Sequence, residues 1–322
     1  MDILKKISSK VEGLSVVEKE GFDLGFVDTG SYAYNKIISG KFNAGYPIGS
    51  VIEIAGESST AKTVFAIQAL INAQKKGYYT VFIDNEQAFT PEFAEKLGLD
   101  LDKCFYASPE TMEDCFDVAE KAVAAIRAED EDTPIVIAYD SIGASPARKE
   151  MEGDVGDKAE ITGALRAKVA GQCLRRINQM VRSKKVLFLV INQLRGTLDM
   201  YGPKSSKAGG GRSLKYYCAA QVVSKSGKND IVEDELKNAI GIKGKLVIEK
   251  NKITVPFQNC EFFFNFTKGL DRYEGLKDVL MKNRRIVMPT KGWYAIPGKE
   301  EKKFRVSEIP DVVKENPELL ED

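Results

Sequence analysis

Lys62 and Thr63 close the stretch Gly56-Glu57-Ser58-Ser59-Thr60-Ala61-Lys62-Thr63, directly after the apolar run Val51–Ala55. Helix-periodic residues follow at once: Val64, Phe65, Ile67, Leu70 and Ile71. A strand, a loop of small residues, Lys-Thr and a helix form the layout of a phosphate-binding loop. Backbone N–H groups at the start of the helix face the phosphates, where the helix dipole favours negative charge. Lys62 would reach the β- and γ-phosphates and the Thr63 hydroxyl would hold Mg²⁺. One residue departs from the pattern: Ala61 stands where a second glycine is expected, and a Cβ there restricts the backbone. The bland alternative is a strand–turn–helix with a surface lysine.

Two acids stand at matching places downstream. Tyr79–Ile83 reads as a core strand ending in Asp84-Asn85-Glu86-Gln87, and Pro134–Tyr139 as another ending in Asp140. Ligands of an α/β sheet lie beyond the carboxyl ends of its strands. Asp140 there suits a Mg²⁺ site, and Glu86 suits a base that polarises water, although the same carboxylate could cap a helix. Val186–Ile191 is a further strand, ending in Asn192-Gln193.

These runs alternate with helical patterns at Pro91 onward, Thr111–Arg127 and Ala164–Ser183, which makes the chain α/β. Cys104–Ala107 is a brief strand. Ala219–Ser224, Ile242–Glu249 and Cys260–Phe266 read as an antiparallel extension of the sheet. Asp271–Asn283 reads as a helix, and Ile286–Met288 with Gly292–Ile296 as a hairpin whose Trp293 packs in the core. Residues 2–14 place Ile3, Leu4, Ile7, Val11 and Leu14 at helical spacing, too short a helix to stand alone, so it must dock on something.

Composition narrows the chemistry. The chain has 322 residues, no histidine and zero net charge. Histidine triads and histidine metal sites are therefore excluded, and a general base must be a carboxylate. Five dispersed cysteines read as buried small hydrophobes. No apolar run approaches the ~18 residues a membrane span needs, and no secretory leader is legible, so a cytoplasmic location is expected. Charge is uneven: Ser141–Lys215 carries 15 Lys and Arg against 6 Asp and Glu, whereas Ser307–Asp322 carries 6 acids against Lys314. A basic middle with an acidic tail suggests a surface for a polyanion. Two long Gly-rich, basic-containing loops, Ser145–Gly163 and Leu194–Arg212, leave neighbouring strand ends, and loops of that length are usually functional.

In order, GESSTAKT, FIDNEQAF, IVIAYDS, MEGDVGD, FLVINQLR, GGGRSLKYY and IEKNKITVPF resemble the bacterial RecA recombinases and their phage relatives. The resemblance runs from about Gly25 to Ile296. It implies a RecA-type P-loop ATPase core with a mixed, mostly parallel sheet flanked by helices. The implied divisions are an N-terminal polymerisation helix and linker (1–30), the core (31–268) and a truncated C-terminal subdomain with an acidic tail (269–322). It implies nucleotide contacts from Gly56, Glu57, Ser58, Ser59, Thr60, Ala61, Lys62, Thr63 and Val64, with Phe93 stacked on adenine. Thr90 stands where the family usually has an acid. Thr63 and Asp140 would hold Mg²⁺. Glu86, Lys62 and the γ-phosphate sensor Gln193 would act in one protomer, and Lys250 and Lys252 would reach the neighbour's ATP.

The two loops, about 145–163 and 194–212, match the family's DNA-binding loops. Arg166, Arg195, Lys207, Gly210, Gly211 and Arg212 would contact phosphates, and Leu198, Met200 or Tyr201 would wedge between bases. Ile3, Leu4, Ile7, Val11, Lys215 and Tyr216 would lie at the protomer interface. Phage relatives also relax the position of Ala61. The implied function is an ATP-dependent recombinase that forms filaments on single-stranded DNA and pairs it with a homologous duplex, with single-strand-binding and mediator proteins as further partners. Two other readings stay open on the residues alone: a nucleotide-binding oligomeric regulator, and a hexameric motor such as a helicase.

Overall fold

The computed structural model describes residues 24–152, 159–196, 206–208, 211–227 and 230–321, with Ile3, Ile7 and Lys10. A short linker pair, β1 (Phe26–Val27) and β2 (Tyr46–Pro47), brackets α1 (Tyr32–Ser39). The phosphate-loop unit follows as β3 (Ser50–Gly56) and α2 (Lys62–Gln74). Next come β4 (Tyr79–Asp84), α3 (Pro91–Leu97), β5 (Cys104–Ala107) and α4 (Met112–Glu129). Then β6 (Ile135–Asp140), α5 (Arg148–Met151), α6 (Ala159–Ser183) and β7 (Val186–Gly196). After β8 (Ser206–Ala208) and α7 (Gly211–Tyr217) the chain forms β9 (Ala220–Lys225), β10 (Ile231–Glu233), β11 (Ala239–Asn251), β12 (Asn259–Asn265) and β13 (Gly269–Leu270). It ends with α8 (Leu276–Lys282), β14 (Val287–Thr290), β15 (Trp293–Ala295) and α9 (Ile309–Glu315).

One mixed sheet dominates, in the order β13-β12-β11-β9-β3-β7-β6-β4-β5. From β9 through β5 every neighbouring pair is parallel. Their carboxyl ends therefore point the same way, and register aligns Gly56 with Gln193 and Asp84 with Asp140. β11 and β12 are antiparallel, as expected. β9 is not: it runs parallel to β3 because α7 carries the chain back across the sheet before β9 begins, a crossover that the composition of β9 does not reveal.

Alternation sorts the two faces. Ile52 and Ile54 of β3 pack under α1 and α2, where Phe65 meets Phe262 edge to face at 5.1 Å. Val51 of β3 and Val190 of β7 pack under α4, α6 and α7. Capping sets the helix starts: Ser31 Oγ accepts from Tyr34 N at 3.3 Å, and Thr111 Oγ1 accepts from Asp114 N at 3.2 Å.

Several expected loops carry more regular structure than their composition implies. α5 and the start of α6 occupy part of 145–163, and β7 runs on through Gln193 to Gly196. The helix expected over 271–283 begins only at Leu276, because Gly275 takes a left-handed φ of 74°. The acidic end is not a free tail: α9 and the turn after it bury Ile309, Val313, Leu319 and Leu320 in the same core as α1, and Asn43 Nδ2 donates to Leu320 O at 3.1 Å. Trp293 is half-buried, with the Arg305 guanidinium 4.6 Å above its ring, instead of lying in the core. No helix among the described residues is long and apolar enough to cross a membrane.

Candidate active site

The carboxyl edge of β3, β7, β6 and β4 gathers the reactive side chains. Gly56 ends β3 against a wall: a Cβ there would meet Thr60 Oγ1 at 2.5 Å and Ser224 O at 2.6 Å. Only glycine allows that approach. Thr60 is buried and anchors the loop, with its O accepting from Ser224 Oγ at 2.6 Å and its Oγ1 donating to Glu57 O at 3.0 Å. Glu57, Ser58 and Ser59 are exposed. Ser59 and Ala61 take left-handed φ values of 62° and 61°. Ala61 is thus the N-cap of α2 in the conformation a glycine would supply freely, held at about 1–2 kcal/mol of local strain.

Lys62 is 8% exposed and bends back on its own loop, Nζ donating to Glu57 O at 2.5 Å. Burial lowers its pKa, while the carboxylates of Asp140 and Glu86 work against that loss of charge. Thr63 Oγ1 donates to Asp140 Oδ2 at 2.6 Å. Asp140 is 2% exposed, and its Oδ1 has no hydrogen-bond partner among the described residues. Burial pushes this carboxyl up to about 6; the Thr63 hydrogen bond and Lys62 oppose the rise, and the charges of Glu86 and Asp84 add to it. A half-buried hydroxyl and a buried carboxylate with one idle oxygen form the oxygen donor set that a small divalent cation takes, so Thr63 and Asp140 fit Mg²⁺.

Glu86 is exposed and accepts from Gln193 Nε2 at 3.2 Å. Its backbone is pinned to the Asp140 strand, with Asn85 N and Glu86 N both donating to Asp140 O, at 2.8 and 3.3 Å. The capping alternative fails for Glu86, since α3 starts at Pro91 after the N-cap Thr90, with no side-chain cap hydrogen bond. Two residues that reading the sequence left without a role frame this turn. Asp84 is buried and accepts from Phe89 N at 2.9 Å, Ala88 N at 3.3 Å and the Tyr106 hydroxyl at 3.2 Å. Asn85 Nδ2 donates to Pro109 O and Glu110 O at 2.7 and 2.9 Å. The signal was the acid at the end of β4, but its partners come from other elements.

Phe93 meets Phe264 of β12 edge to face at 6.3 Å, and Phe264 meets the 40% exposed Phe266 at 5.8 Å. This aromatic group was not legible, since Phe264 and Phe266 read only as strand residues.

Lys250 and Lys252 do not join the cluster. β11 runs antiparallel, so Lys250 pairs with Gln221, which pairs with Glu53. Glu53 lies three residues before Gly56, roughly 10 Å back along the strand, and Lys250 is two strands away, roughly 10 Å sideways. Lys250 Nζ donates to the carbonyls of Lys215 and, at 2.7 Å, Cys218; Lys252 Nζ donates to Tyr216 O at 3.2 Å. Burial and the neighbouring Lys252 charge lower the pKa of Lys250. Lys215 and Tyr216 are exposed beside the pair.

Of the expected DNA contacts, Arg166 is engaged inside the chain by Glu150, Nε at 2.9 and 2.8 Å and a terminal nitrogen at 2.6 Å. The basic surplus of the middle region is also partly matched by α4: Arg148 bridges Asp114 and Asp117, and Arg176 bridges Asp117 and Glu120. The backbones of Arg195 and Lys207 pair directly, β7 to β8. Gly211 and Arg212 open α7. Leu198, Met200, Tyr201 and Gly210 lie outside the described residues, as do Leu4 and Val11, while Ile3 and Ile7 are 73% and 49% exposed.

Comparison with known proteins finds one family throughout. The family model described as RecA N-terminal domain matches residues 2–271. The chain is 31% identical to Protein RecA of Bacteroides thetaiotaomicron over 297 residues, covering 92% of this chain and 84% of that protein. It is 30% identical to Protein RecA of Streptomyces coelicolor over 275 residues, covering 85% and 70%. Protein RecA of Limosilactobacillus reuteri is 28% identical over 298 residues, covering 90% and 77%.

Proposed function

The chain belongs to the RecA family, and from that membership we propose that it is an ATP-dependent DNA recombinase, assembling on single-stranded DNA and exchanging strands with a homologous duplex. The observation that carries the proposal is the Glu86–Gln193 contact beside Lys62, Thr63 and Asp140. It joins a candidate base to the strand that leads into the 194–212 loop.

In this reading the backbone of residues 56–64 cradles the phosphates, and Lys62 leaves Glu57 O for them. Thr63 and Asp140 would hold Mg²⁺, which would neutralise charge on the phosphates. Glu86 orients and deprotonates water, Gln193 releases Glu86 to meet the γ-phosphate, and β7 carries that displacement to the paired backbones of Arg195 and Lys207. Phe93, with Phe264 and Phe266 beside it, offers the adenine an aromatic face. Lys250 and Lys252, remote from their own phosphate loop, act on the nucleotide of the next protomer through the surface that carries Lys215 and Tyr216. Two cations there stabilise transition-state charge.

DNA is held through phosphates by Arg195, Lys207, Gly210, Gly211 and Arg212, with Leu198, Met200 or Tyr201 between bases. Arg166 joins them only after leaving Glu150. Ile3, Leu4, Ile7 and Val11 dock the segment 1–30 on a neighbouring core. The divisions 31–268 and 269–322, a cytoplasmic site of action, and single-strand-binding and mediator partners complete the proposal. Ala61 already takes the backbone a glycine would, which supports this reading over a binding-only regulator. Negative-stain microscopy with and without single-stranded DNA and an ATP analogue tests the reading. Helical filaments that need both are expected; closed hexamers would favour a motor, and particles indifferent to DNA would favour a regulator.

A further inference from the structure

Glu53 is an acid in the middle of the otherwise apolar β3 and is 2% exposed. It shares the face of Val51, under α7. Two carboxamides from the flanking strands hold it: Asn192 Nδ2 donates to Oε1 at 2.7 Å, and Gln221 Nε2 donates to Oε2. A leucine would fill β3 without the cost of burying a carboxylate, and two neutral donors offset only part of that cost. Nothing in the phosphate-loop chemistry uses this group.

Its neighbours tie together the two regions just described. Asn192 directly precedes Gln193, which holds Glu86. Asn192 Oδ1 is buried without a partner among the described residues, in room left by Gly143, where a Cβ would lie 3.0 Å away. Glu53 is thus the only hydrogen-bond partner that the described residues give this carboxamide, so a shift of β7 at Asn192 is felt first at Glu53. On the other side Gln221 is level with Lys250. The charged or titratable groups that act on Glu53 are Glu249 and Lys250, and the Cys218 thiol lies in the fields of Glu53, Lys250 and Lys252. Two like-charged ammoniums are held together there by the carbonyl end of α7, with the carboxylate behind them.

We propose that Glu53 is a positioning residue that couples the γ-phosphate-facing Gln193 to the neighbour-facing Lys250 and Lys252, through Asn192 on one side and Gln221 on the other. The occupancy of one protomer's nucleotide site then sets the pose of the lysines it presents to the next. This rests on the reading that the lysine pair acts across the protomer boundary.

The test is a double-mutant cycle on the full chain with ATP, Mg²⁺ and single-stranded DNA. Glu53→Gln keeps the shape and removes the charge; Gln221→Leu breaks the link from the other side if the first variant folds poorly. Either should lower kcat about tenfold while KM for ATP changes less than about twofold, with the thermal midpoint kept. In a Lys250→Ala background the same change should lower the residual kcat by less than about twofold, because the group it positions is gone. An unchanged kcat in the single variants, or an undiminished fall in the Lys250→Ala background, would overturn the coupling. Absence of any DNA-stimulated turnover in the unmutated chain would instead overturn the functional reading itself, and the coupling with it.

Discussion

The carboxyl edge of the parallel strands and the far end of β11 are two cationic regions built by opposite means. At the carboxyl edge Lys62 lies on the phosphate loop among Asp140, Glu86 and the idle Asp140 Oδ1. The residues that the proposed function gives to the triphosphate are gathered in that one place. At the other end Lys250 and Lys252 donate to backbone carbonyls and sit two strands from their own loop. The proposed function assigns this lysine pair, so far from the phosphate loop of its own chain, to the phosphates of a neighbour. On the proposed function, the contrast assigns binding to the first region and turnover in an assembly to the second.

Variants can break that contrast, and the largest effect falls in the first region. Lys62→Ala should lower ATP-analogue affinity by roughly a hundredfold or more, since a charge-assisted contact to phosphate is lost; calorimetry on the free protein reads it, and unchanged affinity would remove the phosphate-loop assignment. Glu86→Gln should leave analogue and DNA binding intact and slow turnover by about 10²–10⁴-fold, the range of general-base losses; a normal rate in a steady-state phosphate-release assay would remove Glu86 from the chemistry. Lys250→Ala should lower DNA-stimulated kcat by about a hundredfold, less than the roughly 10³–10⁵ of arginine fingers because Lys252 remains, with analogue affinity of the free protein unaffected. Weakened binding by the free protein would place Lys250 in its own site and erase the contrast. The smallest effect is Ala61→Gly, which should stabilise the loop by about 1 kcal/mol through release of left-handed strain; a fall in the thermal midpoint would show that alanine is not strained there.

The parallel half of the fold is more legible in the sequence than the rest. Apolar runs such as Val186–Ile191 announce buried strands, and the residues after them announce the site, because a strand end in an α/β sheet is a local feature of the chain. What stayed hidden was settled by partners far away in sequence. Glu53 reads as one polar letter in a strand, and its donors lie 139 and 168 residues on. The direction of β9 depends on a crossover, not on its own composition. The basic surplus of Ser141–Lys215 looked free because Asp114, Asp117 and Glu120 sit outside that window. The acidic end looked like a tail because its charges are exposed, while Leu319 and Leu320 between them find the core.

The contrast between the two regions is tested most directly by mixing two inactive variants, Glu86→Gln and Lys250→Ala, on single-stranded DNA with ATP. In a head-to-tail assembly each site takes Glu86 from one protomer and Lys250 from the next. Random co-assembly in equal amounts then completes about a quarter of the interfaces, so turnover should return to about a quarter of the unmutated rate. Turnover that stays at the level of the separate variants would contradict a site shared between protomers.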